Sequence, residues 1–81
     1  MFDPKEIERL ISAGLACDHL QVGGDGQHFE AIIVSPAFDG KRLIARHQLV
    51  NKTLGALMGN EIHALSMKTL TPAEWAVQQA A

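Results

Sequence analysis

A chain of 81 residues with a net charge of -2 and a single cysteine is long enough for one domain, whose folding buries about 60–70% of the unfolded surface. One cysteine excludes an internal disulfide and a cysteine-only metal centre, so nothing demands an oxidising compartment. No apolar run approaches the roughly 20 residues that cross a bilayer, and the acidic start M-F-D-P-K-E lacks the basic region of a signal peptide. The expected location is therefore the cytoplasm, without membrane contact. The charge is unevenly spread: residues 1–39 hold seven acids and two bases, whereas residues 40–60 hold Lys41, Arg42, Arg46 and Lys52 and no acid. Such a basic island meets a phosphate backbone or an acidic protein, or is the solvated face of a helix.

In chain order, Asp3-Pro4-Lys5-Glu6 is a helix start, with a capping aspartate, proline at the first helical position and glutamate at the capping-box spacing. Ile7, Leu10, Ile11 and Leu15 then recur at helical intervals, and Gly14 marks the end. Residues 19–22 alternate as a short strand. Gly23-Gly24-Asp25-Gly26-Gln27 is a turn, and His28 to Ser35 is a strand centred on Ile32, Ile33 and Val34. The close connection makes these two strands an antiparallel hairpin.

Pro36 ends the second strand. From Lys41 to Met58 the spacing of Leu43, His47, Val50, Leu54 and Leu57 predicts a long helix, stopped by Gly59-Asn60. A third strand is expected from Glu61 to about Thr69. Thr71-Pro72-Ala73-Glu74 repeats the helix-start pattern, and Trp75 is placed to pack onto the sheet edge. The order is helix, strand, strand, helix, strand, helix: an α+β domain over residues 1–81, with a three-stranded mixed sheet and helices on one face. The second and third strands flank a helical crossover, so they run parallel. His28 begins the second strand and His63 stands near the beginning of the third, which puts both at one rim of the sheet beside the glycine-rich loop.

Each chemistry-bearing residue also has a bland reading. His63 is a structural strand histidine or a ligand, and spacing alone leaves both open. His28 is a turn histidine or a ligand. His47 lies on the apolar stripe of the long helix and reads as a packed, hydrogen-bonded core histidine. His19 reads as a surface residue and Cys17 as a small apolar filler. The Phe38-Asp39-Gly40-Lys41 turn lacks the second glycine of the G-x-x-G backbone grip, yet its amides and Lys41 suit a phosphate. Ser12, Ser35 and Ser66 have no catalytic motif around them, and there is no P-loop or dinucleotide fingerprint; an enzyme is not expected.

Five blocks in order carry a resemblance: G-D-G-Q-H-F (24–29), V-S-P-A-F-D-G-K (34–41), R-H-Q-L-V-N (46–51), I-H-A-L-S-M-K-T (62–69) and T-P-A-E-W (71–75). Together they make the chain resemble the BolA-like proteins over nearly its whole length. The resemblance implies a class II K homology-like fold with the element order derived above. It also implies partnership with a monothiol glutaredoxin, with a two-iron two-sulfur cluster shared between the two proteins. Glutaredoxin and glutathione then supply thiolates, this chain supplies His63 and, from the loop, His28, and the isolated protein holds no cofactor. Histidine in place of thiolate raises a cluster's potential. Gln48 departs from the arginine usual in the family after His47, which removes one positive charge from the long helix.

The expected function is an adaptor in iron–sulfur cluster assembly, transfer or iron regulation, with Arg46, His47 and Lys68 as candidate partner-docking residues. The alternative is a DNA-binding transcriptional regulator that uses Lys41, Arg42, Arg46 and Lys52.

Overall fold

A computed structural model of the protein describes residues 2–62 and 64–80. Helix α1 spans Pro4–Gly14, strands β1 and β2 span His19–Gly24 and His28–Val34, helix α2 spans Leu43–Leu54, strand β3 spans Ala64–Leu70 and helix α3 spans Pro72–Ala80. Single 3-10 turns occupy Pro36–Phe38 and Gly55–Leu57. The sheet order is β1-β2-β3, with β1 antiparallel and β3 parallel to β2, as the βαβ argument requires.

The helix starts follow their capping chemistry. Asp3 Oδ1 accepts the Lys5 amide N–H at 2.9 Å. Glu6 does not complete the expected box, because its carboxylate bonds to Arg9 one turn on. At α3 the box closes in both directions: Glu74 N–H donates to Thr71 Oγ1 at 3.1 Å and Thr71 N–H donates to Glu74 Oε1 at 2.8 Å. Between β2 and the first 3-10 turn, the Ser35 hydroxyl donates to the Ala16 carbonyl at 2.6 Å and accepts the Ala37 amide at 3.1 Å.

Both ends of α2 and the start of β3 differ from expectation. Helix α2 begins at Leu43 rather than Lys41, because Gly40 takes φ +74° and Arg42 is still extended (φ -73°, ψ 163°). It ends at Leu54, where Gly55 takes φ +57°, and Leu57 continues the apolar spacing only through the 3-10 turn. Strand β3 begins at Ala64 rather than Glu61. Ile62 is instead pulled inward by a tight turn, in which its N–H donates to the Leu57 carbonyl at 2.9 Å and its carbonyl accepts the Gly59 amide at 2.8 Å.

Alternation along the strands builds the core. Phe29, Ala31 and Ile33 of β2, with Leu20, Val22, Leu65 and Met67 beside them, pack against Ile7 and Ile11 of α1, Val50 and Leu54 of α2, Phe38 and Ile62. Each fully buried large side chain in this set contributes about 1.5–3 kcal/mol. The single helical layer expected from the sequence thus describes α1 and α2. The start of α3 reaches the other face: Trp75 stacks on His19 with ring centroids 4.7 Å apart. His19, Val34 and Leu70 form one cross-sheet row there, and Val34 and Leu70 are buried outside the main core. His19 is therefore half-buried rather than a plain surface residue. The rest of that face, along Gln21, Glu30, Ser66 and Lys68, is exposed.

Candidate functional site

The hairpin loop is short because β1 continues to Gly24, leaving only Asp25, Gly26 and Gln27 to turn the chain. Asp25 organises it. Its Oδ1 accepts the backbone N–H of Gln27 at 2.9 Å and of His28 at 2.8 Å, and its own N–H donates to the His28 carbonyl at 3.2 Å. The two amides, His28 first, hold the Asp25 carboxyl below its ordinary value. The imidazole of His28 is 77% exposed, with Nδ1 3.8 Å from Asp25 Oδ2.

His28 pairs with Ala64, the first residue of β3. Ala64 follows His63 in the chain and Ile62 precedes it; His63 itself lies outside the described residues. Gly26, Gln27, His28, Glu61 and Ala64 line an open cleft of about 380 Å³. By alternation His28 belongs to the same sheet face as Glu30 and Ile32, the face that α1 and α2 leave free.

This donor set suits one side of a shared cluster. An exposed imidazole with no hydrogen bond among the described residues has a nitrogen to give to iron. Cys17 is placed away from it, before the opposite end of β1, with Sγ 3.4 Å from the Leu15 carbonyl. Burial and then Asp18 push its thiol up, which disfavours the thiolate that metals take. Among the described residues no three His, Cys, Asp or Glu side chains converge. A cluster held here would need its thiolates from another molecule.

The basic residues of the middle segment separate into two kinds. Lys41 and Arg42 are exposed before the first turn of α2, which has no side-chain cap, and Lys52 is exposed in its last turn. Arg46 turns inward. Its side chain is 12% exposed and pairs with Glu74 at 2.7 Å. It also donates to the Lys41 carbonyl at 2.9 Å and the Thr69 carbonyl at 3.1 Å, and lies 6.0 Å from the Phe38 ring centroid. Arg46 is thus spent within the fold and is a poor phosphate or docking residue. His47 is half-buried, but the expected hydrogen bond is not made at Nε2, which is buried with no hydrogen-bond partner among the described residues. Lys68 is exposed on the free sheet face, so the structure does not gather Arg46, His47 and Lys68 into one surface.

Asp25 was not singled out by the sequence, although aspartate three residues before the strand's first residue is the spacing of a side chain that caps a turn. Leu43 and Ile44 are 61% and 70% exposed; the helical spacing put Leu43 on the inner stripe, but it is the first residue of α2 and stands at the exposed end of that stripe.

The fold and the sequence agree with known proteins. The model of the BolA-like proteins matches residues 4–74. The acid stress protein IbaG of Escherichia coli (strain K12) is 39% identical over 72 residues, covering 88% of this chain and 86% of that protein. The DNA-binding transcriptional regulator BolA of Vibrio cholerae is 48% identical over 52 residues, 64% of this chain and 49% of that protein. A solved structure, a bolA protein homologue from Coxiella burnetii, superposes with a TM-score of 0.83 at 42% identity, covering 94% of this chain and 99% of that one. With the match running from the first turn of α1 into α3, the chain belongs to the BolA-like protein family.

Proposed function

We propose that this protein is an adaptor that docks a monothiol glutaredoxin and completes the coordination of a shared two-iron two-sulfur cluster through His63 and His28. The supporting observation is the register between β2 and β3: His28 pairs with Ala64, the neighbour of His63 in the chain. The exposed imidazole and the single, half-buried cysteine fit a chain that gives nitrogen rather than thiolate. When bound, the cluster supplies one-electron redox chemistry or iron and sulfide for transfer. This chain's share is to hold neutral imidazoles toward it and to present the free sheet face beside them. Because the donors must be deprotonated, acid weakens the site.

Mixing the protein with a cluster-loaded monothiol glutaredoxin is expected to give a heterodimer with altered visible absorption and circular dichroism. His63→Ala removes most of that change, and His28→Ala alters it. An unchanged parent spectrum without co-elution refutes the adaptor reading.

A second reading is favoured by the uncapped start of α2 with Lys41 and Arg42 exposed, and by the regulator relative: a DNA-binding role. Neutralising Lys41, Arg42 and Lys52 then flattens the slope of log affinity against log salt by up to about 0.9 for each phosphate that is no longer neutralised. An unchanged slope in titrations of duplex DNA removes this surface.

A further inference from the structure

A histidine that binds metal through one ring nitrogen usually gives its other N–H to a carboxylate or carbonyl, which fixes both tautomer and orientation. The loop provides such a group. Asp25 Oδ1 is fixed by the amides of Gln27 and His28, so the carboxylate cannot swing away. Its second oxygen then faces His28 Nδ1 from 3.8 Å. That separation exceeds a hydrogen bond, and a small rotation of the exposed imidazole closes it. The backbone part of the arrangement is already made, so the residual conformational cost is small.

Resting on the adaptor reading, we propose that Asp25 is the positioning residue for His28: its Oδ2 accepts the Nδ1–H, holds the ring in that tautomer and leaves the Nε2 lone pair for iron. The opposite tautomer puts the hydrogen on Nε2 and blocks the ligand atom. An Nδ1–H bonded to a carboxylate also makes Nε2 a stronger donor, which favours the oxidised cluster.

Asp25→Asn separates this role from turn-making. The asparagine keeps an Oδ1 acceptor for both backbone amides, so the turn survives. The group facing Nδ1 becomes an amide N–H, which calls for a bare Nδ1 and moves the proton to Nε2. In the parent protein without cluster, imidazole nitrogen NMR is expected to show His28 mainly as the Nδ1–H tautomer. Asp25→Asn shifts it toward Nε2–H while the backbone amide spectrum stays folded.

In the glutaredoxin complex, Asp25→Asn is expected to lose the cluster to a chelator roughly 10–100-fold more readily and to raise its reduction potential. The same His28 tautomer in both proteins overturns the proposal, whether or not a cluster binds. A shifted tautomer with parent-like retention and potential also overturns it, provided that His28→Ala differs from the parent. If His28→Ala matches the parent as well, ligation by His28 fails and takes this role of Asp25 with it.

Discussion

Arg46→Ala is expected to lower the stability of the isolated protein by about 1.5–3 kcal/mol, the worth of one charge-assisted hydrogen bond, since of its two bonds to backbone carbonyls the one to Lys41 is exposed and the one to Thr69 is part-buried. The guanidinium is a clamp: it ties Lys41, before α2, to Thr69, near the end of β3, and to Glu74, in the first turn of α3. Chemical denaturation at neutral pH measures the loss, and Lys41→Ala and Lys52→Ala serve as exposed controls expected to change little. Equal midpoints for all three variants would remove the clamp. The same network sets an acid dependence. The Arg46 hydrogen bond first, and then the Thr71 amide, bring the Glu74 carboxyl down to about 2 from its ordinary 4.5. Because the folded value lies below the unfolded one, the stabilisation is fully present above about pH 4.5 and is lost as pH falls toward 2. Arg46→Ala should flatten that acid limb.

Gly24→Ala is expected to cost about 2–5 kcal/mol and to displace His28. Gly24 holds φ +156°, where a side chain is strained by about 1–3 kcal/mol. An added Cβ also presses on the His28 carbonyl oxygen and stands 2.8 Å from Phe29 Cδ1 and 3.0 Å from Phe29 Cα. Those are backbone and core atoms with little room to yield, and overpacking of this kind adds about 1–3 kcal/mol. Phe29 is 1% exposed, so the strain is shared with the core. Gly23→Ala is the matched control, since a Cβ there meets nothing within 4 Å. Thermal unfolding of the pair, with His28 followed by NMR, decides the matter: parent-like behaviour of Gly24→Ala would mean that the hairpin end is not tightly packed.

The parts legible in the sequence were those with local causes. Asp3-Pro4 and Thr71-Pro72-Ala73-Glu74 start helices through bonds within one turn, and the apolar run Ile32-Ile33-Val34 marks β2 as a strand, although the core side of that strand, Phe29, Ala31 and Ile33, was not read from it. The ends of α2 were not legible, because Lys41 and Arg42 suit a helix by propensity and Leu57 sustains the apolar spacing. Only the positive φ of Gly40 and Gly55 sets the limits. Ile62 resembled a strand residue because it is apolar; it enters the core from a turn instead. Arg46 read as an exposed cation because its partner Glu74 is 28 residues away, a distance at which pattern is silent. The position of His28, first in β2 after a glycine-rich loop, was legible. The grip of Asp25 on that loop depends on which oxygen faces which amide.

The bond from Arg46 to the Thr69 carbonyl also bears on self-association. Strand β3 is an outer strand, and the Leu70 carbonyl accepts the Ser35 amide of the β2 side, so the Thr69 carbonyl one residue earlier points away from the sheet. An outer strand with bare carbonyls is a template onto which another chain can add. A guanidinium occupies that acceptor, and its charge lies where an incoming backbone would have to pair. The far end of β3 is thereby a poor template for strand addition, which leaves the edge of β1 as the freer one for a second chain.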